Sequence, residues 1–241
     1  MKTNPQFLTK ENLDNLKKEW DYRETKRVSC PIEWIDRIFP NMFLGELYMV
    51  YAPTGTGKSS FLLATARKYA EQVKVLFITT EENDVDLSQY FPEDECPNLA
   101  IYYVTGNLNT EIIKNFTLEN DIHYVFFDYM GATGEFEWNK LKEKADELCQ
   151  IALQNDFLIF SAGQADNSIY EEKKDPNLKF TGNYISFSKH MLDKCAGAFY
   201  LTKDPANPLQ LFAYPIKYRH GCLTSIEIPI SNLRFKNRTW D

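Results

Sequence analysis

The chain has 241 residues, enough for one α/β domain with a sizeable core and too few for two ordinary domains. Hydrophobic residues make up 44% and charged residues 25%, a composition that excludes a disordered chain. The net charge of −7 argues against a general basic coat for nucleic acid, while leaving room for a few cations lining a groove or central channel.

The N-terminal stretch up to Leu16 has no apolar core behind its basic residues, so it is not a secretory signal. Residues 8–27 are charged, with Leu13, Leu16 and Trp20 at helical spacing. They predict one amphipathic helix ahead of the sheet, with Thr9 as a candidate N-cap and Glu11 in its first turn. Its apolar stripe packs either on the chain's own core or on a neighbouring subunit. After Pro31, strands and helices alternate. Residues 46–52 are an apolar strand, and 59–72 a helix with Leu62, Ala66 and Tyr69 on one face. Further strands are predicted at 74–80, 98–104, 123–128 and 157–162, with helices at 110–118 and 136–155. In the last helix Leu141, Ala145, Leu148 and Ala152 should face inward. These strands are nearly continuous apolar runs, as expected of a parallel sheet covered on both faces. Residues 167–189 are polar, carry Pro176 and Gly182, and read as a largely mobile loop. Residues 198–202, 209–217 and 223–229 look like antiparallel strands closing the sheet. The longest apolar runs are strand-sized, far short of the roughly 20 residues of a bilayer span, so no membrane is expected as a partner. Five scattered cysteines without a Cys-x-x-Cys pattern read as reduced thiols of a cytoplasmic protein.

Residues Ala52, Pro53, Thr54, Gly55, Thr56, Gly57, Lys58, Ser59 and Ser60 join the first buried strand to a helix. The pattern departs from the usual phosphate-binding loop only in its first residue, alanine for glycine. Gly55 and Gly57 permit backbone conformations that aim successive N–H groups at phosphate oxygens, and the helix adds its positive end. Lys58 can reach the β- and γ-phosphates, and the Ser59 hydroxyl can ligate Mg²⁺. The ligand implied is a nucleoside triphosphate. Asp128 ends an apolar strand, where its carboxylate can hold the same metal. Glu81 and Glu82 directly follow the strand at 74–80; a carboxylate here can orient and deprotonate an attacking water, which favours hydrolysis over transfer to a metabolite. Gln164 follows the fifth strand, where its amide either senses the γ-phosphate or faces solvent.

Taken in order, APTGTGKSS, VLFITTEE, YVFFDYM, FLIFSAGQ and KYRHG resemble the RecA-fold ATPases, and within them the DnaB-type replicative DNA helicases, over about residues 30–235. The resemblance implies an α/β fold of the RecA-like P-loop NTPase kind: a mostly parallel sheet flanked by helices, with antiparallel C-terminal strands. It divides the chain into a leader helix at 1–29 and an ATPase domain at 30–241. It also implies a catalytic set of Lys58, the base Glu81, the sensor Gln164, and Lys217 and Arg219 projecting into a neighbouring subunit's site. Outside the resemblance, that last pair would read as ordinary exposed strand charges. The implied assembly is a homo-oligomer, usually a hexameric ring, translocating on single-stranded DNA and meeting a primase or loader. Lys173, Lys174 and Lys179, with the turn after Asp128, are candidates for DNA contact; a solvated loop beside Glu171 and Glu172 reads equally well. Asn167 departs from the family's arginine, and only a short leader is expected where relatives carry an N-terminal collar. Glu81 and Glu82 together also resemble the paired glutamates of KaiC-like ATPases, which keeps a recombination or regulatory ATPase open beside a slow nucleotide-binding scaffold.

Overall fold

A computed structural model describes residues 9–80, 96–104, 109–128, 138–166, 185, 189–203, 210–221 and 228–231. Helix α1 spans Lys10–Glu24. A two-stranded antiparallel ladder, β1 (Arg27–Val28) with β2 (Met42–Phe43), flanks the short helix α2 (Glu33–Ile38). The central sheet then begins with β3 (Leu47–Ala52), followed by α3 (Lys58–Ala70), β4 (Val75–Thr79) and β5 (Leu99–Tyr103). Next come α4 (Thr110–Asn120), β6 (Tyr124–Asp128), α5 (Trp138–Asn155) and β7 (Leu158–Gln164). Helix α6 (Lys189–Lys194) leads into β8 (Gly197–Lys203), β9 (Gln210–Tyr218) and β10 (Ile228–Ser231).

The eight strands of the main sheet lie in the order β10-β9-β8-β3-β7-β6-β4-β5. From β8 to β5 every neighbouring pair is parallel, and β9 and β10 add antiparallel ladders at one edge. The sheet is hydrophobic on both sides because strand side chains alternate. In β3, Tyr48, Val50 and Ala52 enter one core with Leu62, Ala66 and Tyr69 of α3. Leu47, Met49 and Tyr51 enter the other core, with Ile113 of α4, Leu148 and Ala152 of α5, and Met191 of α6. The side chains of Leu141 and Ala145 lie outside the described residues.

Two expectations change. Residues 198–202 belong to β8, which runs parallel to β3 and is antiparallel only to β9. Its apolar sequence suits either direction, and α6, unmarked in the sequence, makes the crossover that a parallel neighbour needs. Gln164 is the last residue of β7 rather than a loop residue beyond it. Within the stretch expected to be a loop, Ile185 is buried and makes an isolated antiparallel bridge to Ala165, just beyond the end of β7. The last predicted strand is seen as Ile228–Ser231, paired with Gln210–Ala213.

Packing of β3 on β7 is tight enough to demand a glycine. A Cβ on Gly163 would lie 2.4 Å from the Tyr51 ring. Gly163→Ala should therefore overpack this core and cost about 1–3 kcal/mol, read as a lower urea midpoint at unchanged slope.

Candidate functional site

The residues from Pro53 to Gly57 form the turn between β3 and α3, at the carboxyl edge of the parallel strands. Gly55 and Gly57 have φ of 74° and 104°, a region L side chains rarely occupy, and a Cβ on either would meet nothing within 4 Å. These glycines serve backbone conformation rather than close packing, and the space over the loop is open. Thr56 donates its N–H to the Pro53 carbonyl at 3.2 Å and is buried, which closes the turn. Gly57 caps α3, so Lys58, Ser59 and Ser60 form its first turn, where N–H groups lack intrahelical partners. Ala52 lies in β3 opposite Gln164 and is fully buried. An extended strand residue needs no positive φ, which explains why alanine serves where the usual pattern has glycine.

Strand order delivers the other groups. β7 is inserted between β3 and β6, so Gln164 ends beside the loop, and its Nε2 donates to Thr54 Oγ1 at 2.9 Å. The amide touches the loop directly. On the other side of β7, Asp128 closes β6 with its carboxylate wholly buried, and its main-chain oxygen accepts from Thr80 N at 2.9 Å. Glu81, the residue after Thr80, lies outside the described residues, as do Lys173, Lys174 and Lys179. The donor chemistry suits a hard divalent cation: a hydroxyl at the start of α3 and a buried carboxylate from the strand two places away, oxygen ligands both. Ser59 and Asp128 would hold Mg²⁺ there.

Lys203 is a loop neighbour that sequence reasoning missed. It ends β8, the strand on the far side of β3, and its Nζ donates to the Gly55 carbonyl at 2.5 Å. The signal was present in a lysine closing an apolar run, but it gains meaning only once β8 is parallel to β3.

Lys217 and Arg219 lie at the opposite end of the sheet. Lys217 pairs with Ala198, and Arg219 N donates to Ala196 O, whose own N–H binds Leu47 O at the start of β3. At about 3.3 Å per residue, that end of β3 is about 17 Å from Ala52, where the loop begins. Neither cation can serve the phosphate loop of its own chain. The Lys217 ammonium donates to the carbonyls of Leu192 and Asp193, and Arg219 Nη2 reaches Asp193 O at 2.8 Å. Both rest on the C-terminal carbonyls of α6, where cations suit the unsatisfied oxygens. Desolvation lowers the Lys217 pKa from that of a free lysine, helped by the nearby Arg219 charge and opposed by Cys195 and Asp193.

Helix α1 presents Leu13, Leu16 and Trp20 at 51%, 54% and 56% exposure, so its apolar stripe is not packed on the chain's own core. No described helix is long and apolar enough to cross a membrane. Cys30, Cys96, Cys149 and Cys195 are free thiols, and burial pushes Cys30 and Cys195 up to about 12, so they are poor nucleophiles.

A parallel sheet with the phosphate loop after one strand, a further strand between it and the strand of the acidic residue, and antiparallel strands at the edge is the RecA-like P-loop ATPase fold. Among solved structures, a DnaB-like replicative helicase, determined with a study of its interactions with primase, superposes over 97% of this chain and 67% of its own, with a TM-score of 0.74 at 12% identity. The ATPase domain of G40P covers 97% of this chain and 99% of its own, with a TM-score of 0.71 at 12% identity. The KaiC-like protein PH0186 from Pyrococcus horikoshii OT3 covers 84% of this chain and 93% of its own, with a TM-score of 0.65 at 18% identity. No protein-family model matches the chain, and no curated protein matches its sequence.

Proposed function

We propose that this chain is the ATPase core of a DnaB-like DNA helicase, a homo-oligomeric ring of six subunits that hydrolyses Mg-ATP and moves on single-stranded DNA. The observation that carries this reading is the separation of the phosphate loop from Lys217 and Arg219 by the length of β3. A site holding both needs two copies of the chain, arranged head to tail, and such an interface generates rings or helical filaments. Loop N–H groups and Lys58 hold the phosphates, and Mg²⁺ held by Ser59 and Asp128 would neutralise charge on them. Glu81 orients and deprotonates the attacking water, and Gln164, attached to the loop through Thr54, registers departure of the γ-phosphate. Lys217 and Arg219 leave the α6 carbonyls and meet the next subunit's phosphates, so hydrolysis depends on assembly. The exposed stripe of α1 gives that assembly a second contact. Lys173, Lys174 and Lys179 are assigned to the DNA channel, and a primase or loader is the partner class expected. The cytoplasm, of a cell or of a virus's host, is the compartment proposed.

Strand displacement on a forked duplex with Mg-ATP tests the proposal, together with ATPase rate against protein concentration, with and without single-stranded DNA. Unwinding and DNA-stimulated turnover that rises with concentration are expected; loss of both sinks the helicase reading. The similarity to PH0186 favours a second reading, a regulatory or recombination ATPase of the RecA or KaiC kind. Under that reading turnover persists without unwinding, and open filaments on DNA in electron micrographs would point to recombination. Turnover that stays slow and indifferent to DNA would instead mark a scaffold.

The lowered Lys217 pKa adds a pH signature. Lowering favours the neutral amine, so the finger charge is lost as pH rises, at a lower pH than for an ordinary lysine near 10.4. At subsaturating ATP, where the rate reports the resting enzyme, turnover should therefore decline on the alkaline side. Lys217→Arg should move that decline to higher pH in a rate profile, because arginine keeps its charge.

A further inference from the structure

Arg219 is held from both sides. On one side Tyr218 accepts the Asn41 N–H on its hydroxyl at 2.7 Å and packs on Phe39. On the other, His220 Nε2 lies 2.8 and 2.9 Å from the two oxygens of Glu46 and edge-on to the Phe43 ring. Beyond it, a Cβ on Gly221 would fall 2.8 Å from the Tyr218 ring, so the turn doubles back tightly and glycine is required there. The Glu46 carboxylate is the hub. Besides His220 it accepts from the Tyr48 hydroxyl at 2.8 Å and from Arg23 of α1 at 2.6 Å. Arg23 also lies over the Phe43 ring, 4.7 Å from its centre. Burial, with the adjacent Glu46 charge, raises the Tyr48 phenol far above its ordinary value and keeps it a donor. Glu46 and His220 are 15% and 13% exposed, so water competes weakly for these contacts.

We propose that Glu46 is the positioning residue of the Arg219 turn, and that by sharing its carboxylate between His220 and Arg23 it links the attitude of helix α1 to the aim of the finger. The inference rests on the reading of Arg219 as a group acting on the neighbouring subunit. Glu46 lies at the end of β3 away from the phosphate loop and acts through His220. A pull on α1, whose apolar stripe faces outward, reaches the finger through this carboxylate and through Arg23 Nη2, which also lies 3.0 Å from His220 Nε2. Removing its charge weakens the hold on His220 and loosens Arg219 without altering the phosphate loop at the far end of β3.

The test compares Glu46→Gln, Arg219→Ala and the double variant in the full chain, following DNA-stimulated ATP turnover, KM for ATP, binding of a fluorescent ATP analogue, and thermal melting. Glu46→Gln is expected to lower kcat about tenfold with KM and analogue binding unchanged, and to cost nothing further in the Arg219→Ala background. Arg23→Ala should give a smaller loss in the same direction. Unchanged kcat in Glu46→Gln alongside a dead Arg219→Ala overturns the inference and leaves the trans-acting finger intact. Full turnover in Arg219→Ala overturns the finger reading itself. Independent, multiplying losses in the double variant also overturn the inference, since they place Glu46's effect outside Arg219. Should Glu46→Gln melt early, His220→Asn carries the same comparison with the carboxylate in place.

Discussion

Lys58→Ala should abolish useful ATP turnover while leaving the fold intact. Lys58 opens α3 directly after Gly57, whose φ of 104° turns the chain into the helix, so its side chain starts from the rim of the open space over the loop. Charge accumulates on phosphoryl oxygens as the bond breaks, and an ammonium already in place stabilises it without reorganisation. Loss of one such preorganised group costs about 10²–10³ in kcat. Lys58 is only partly buried, so its truncation opens no cavity and the melting temperature should stay within a few degrees. A steady-state phosphate-release assay at saturating Mg-ATP checks the prediction. Retention of more than about a tenth of the rate would remove the loop from the chemistry.

Arg219→Ala should be as severe, by a different route. Arginine supplied across an interface contributes about 10³–10⁵ in kcat in P-loop hydrolases. Here the residue stands at the amino edge of β3 and cannot reach its own loop. Binding of an ATP analogue should survive, since the loop is untouched, while turnover collapses. The informative experiment mixes the two dead variants. A Lys58→Ala chain still carries Arg219 and an Arg219→Ala chain still carries Lys58. In an equal, exchanging mixture about a quarter of head-to-tail interfaces bring the intact halves together. Partial recovery of turnover is expected only if the finger acts in trans. A mixture as inert as its components refutes that.

The phosphate loop could be read from the sequence because its chemistry is local. Consecutive residues supply the glycine conformations, the lysine and the hydroxyl, and the flanking strand and helix are marked by their own periodicity. Asp128 was legible for a related reason, as a carboxylate that ends an apolar run must sit at a sheet edge. The buried strands announced themselves as apolar runs, with ends found to within a residue or two. Gln164 was legible as a position, but its contact with Thr54 was not, because that contact exists only once β7 lies beside β3. The leader helix was visible at its 3.6-residue spacing, yet periodicity cannot say what covers an apolar stripe. The exposure of Leu13, Leu16 and Trp20 answers only that this chain's own core does not.

The sequence by itself determined the longer elements, the parallel α/β character and the loop, since each follows from interactions between residues close along the chain. Tertiary structure alone decided what stands beside what. It placed β8 parallel to β3, and so brought Lys203 to Gly55 across 148 residues of sequence. It also gathered Arg23, Glu46 and His220 into one cluster, the last two 174 residues apart. Such contacts depend on the order and register of strands, which are set by the joint burial of both sheet faces rather than by any local pattern. For the same reason the distance between the phosphate loop and Arg219, the observation behind the proposal that a working site takes two copies of this chain, became visible only in the folded sheet.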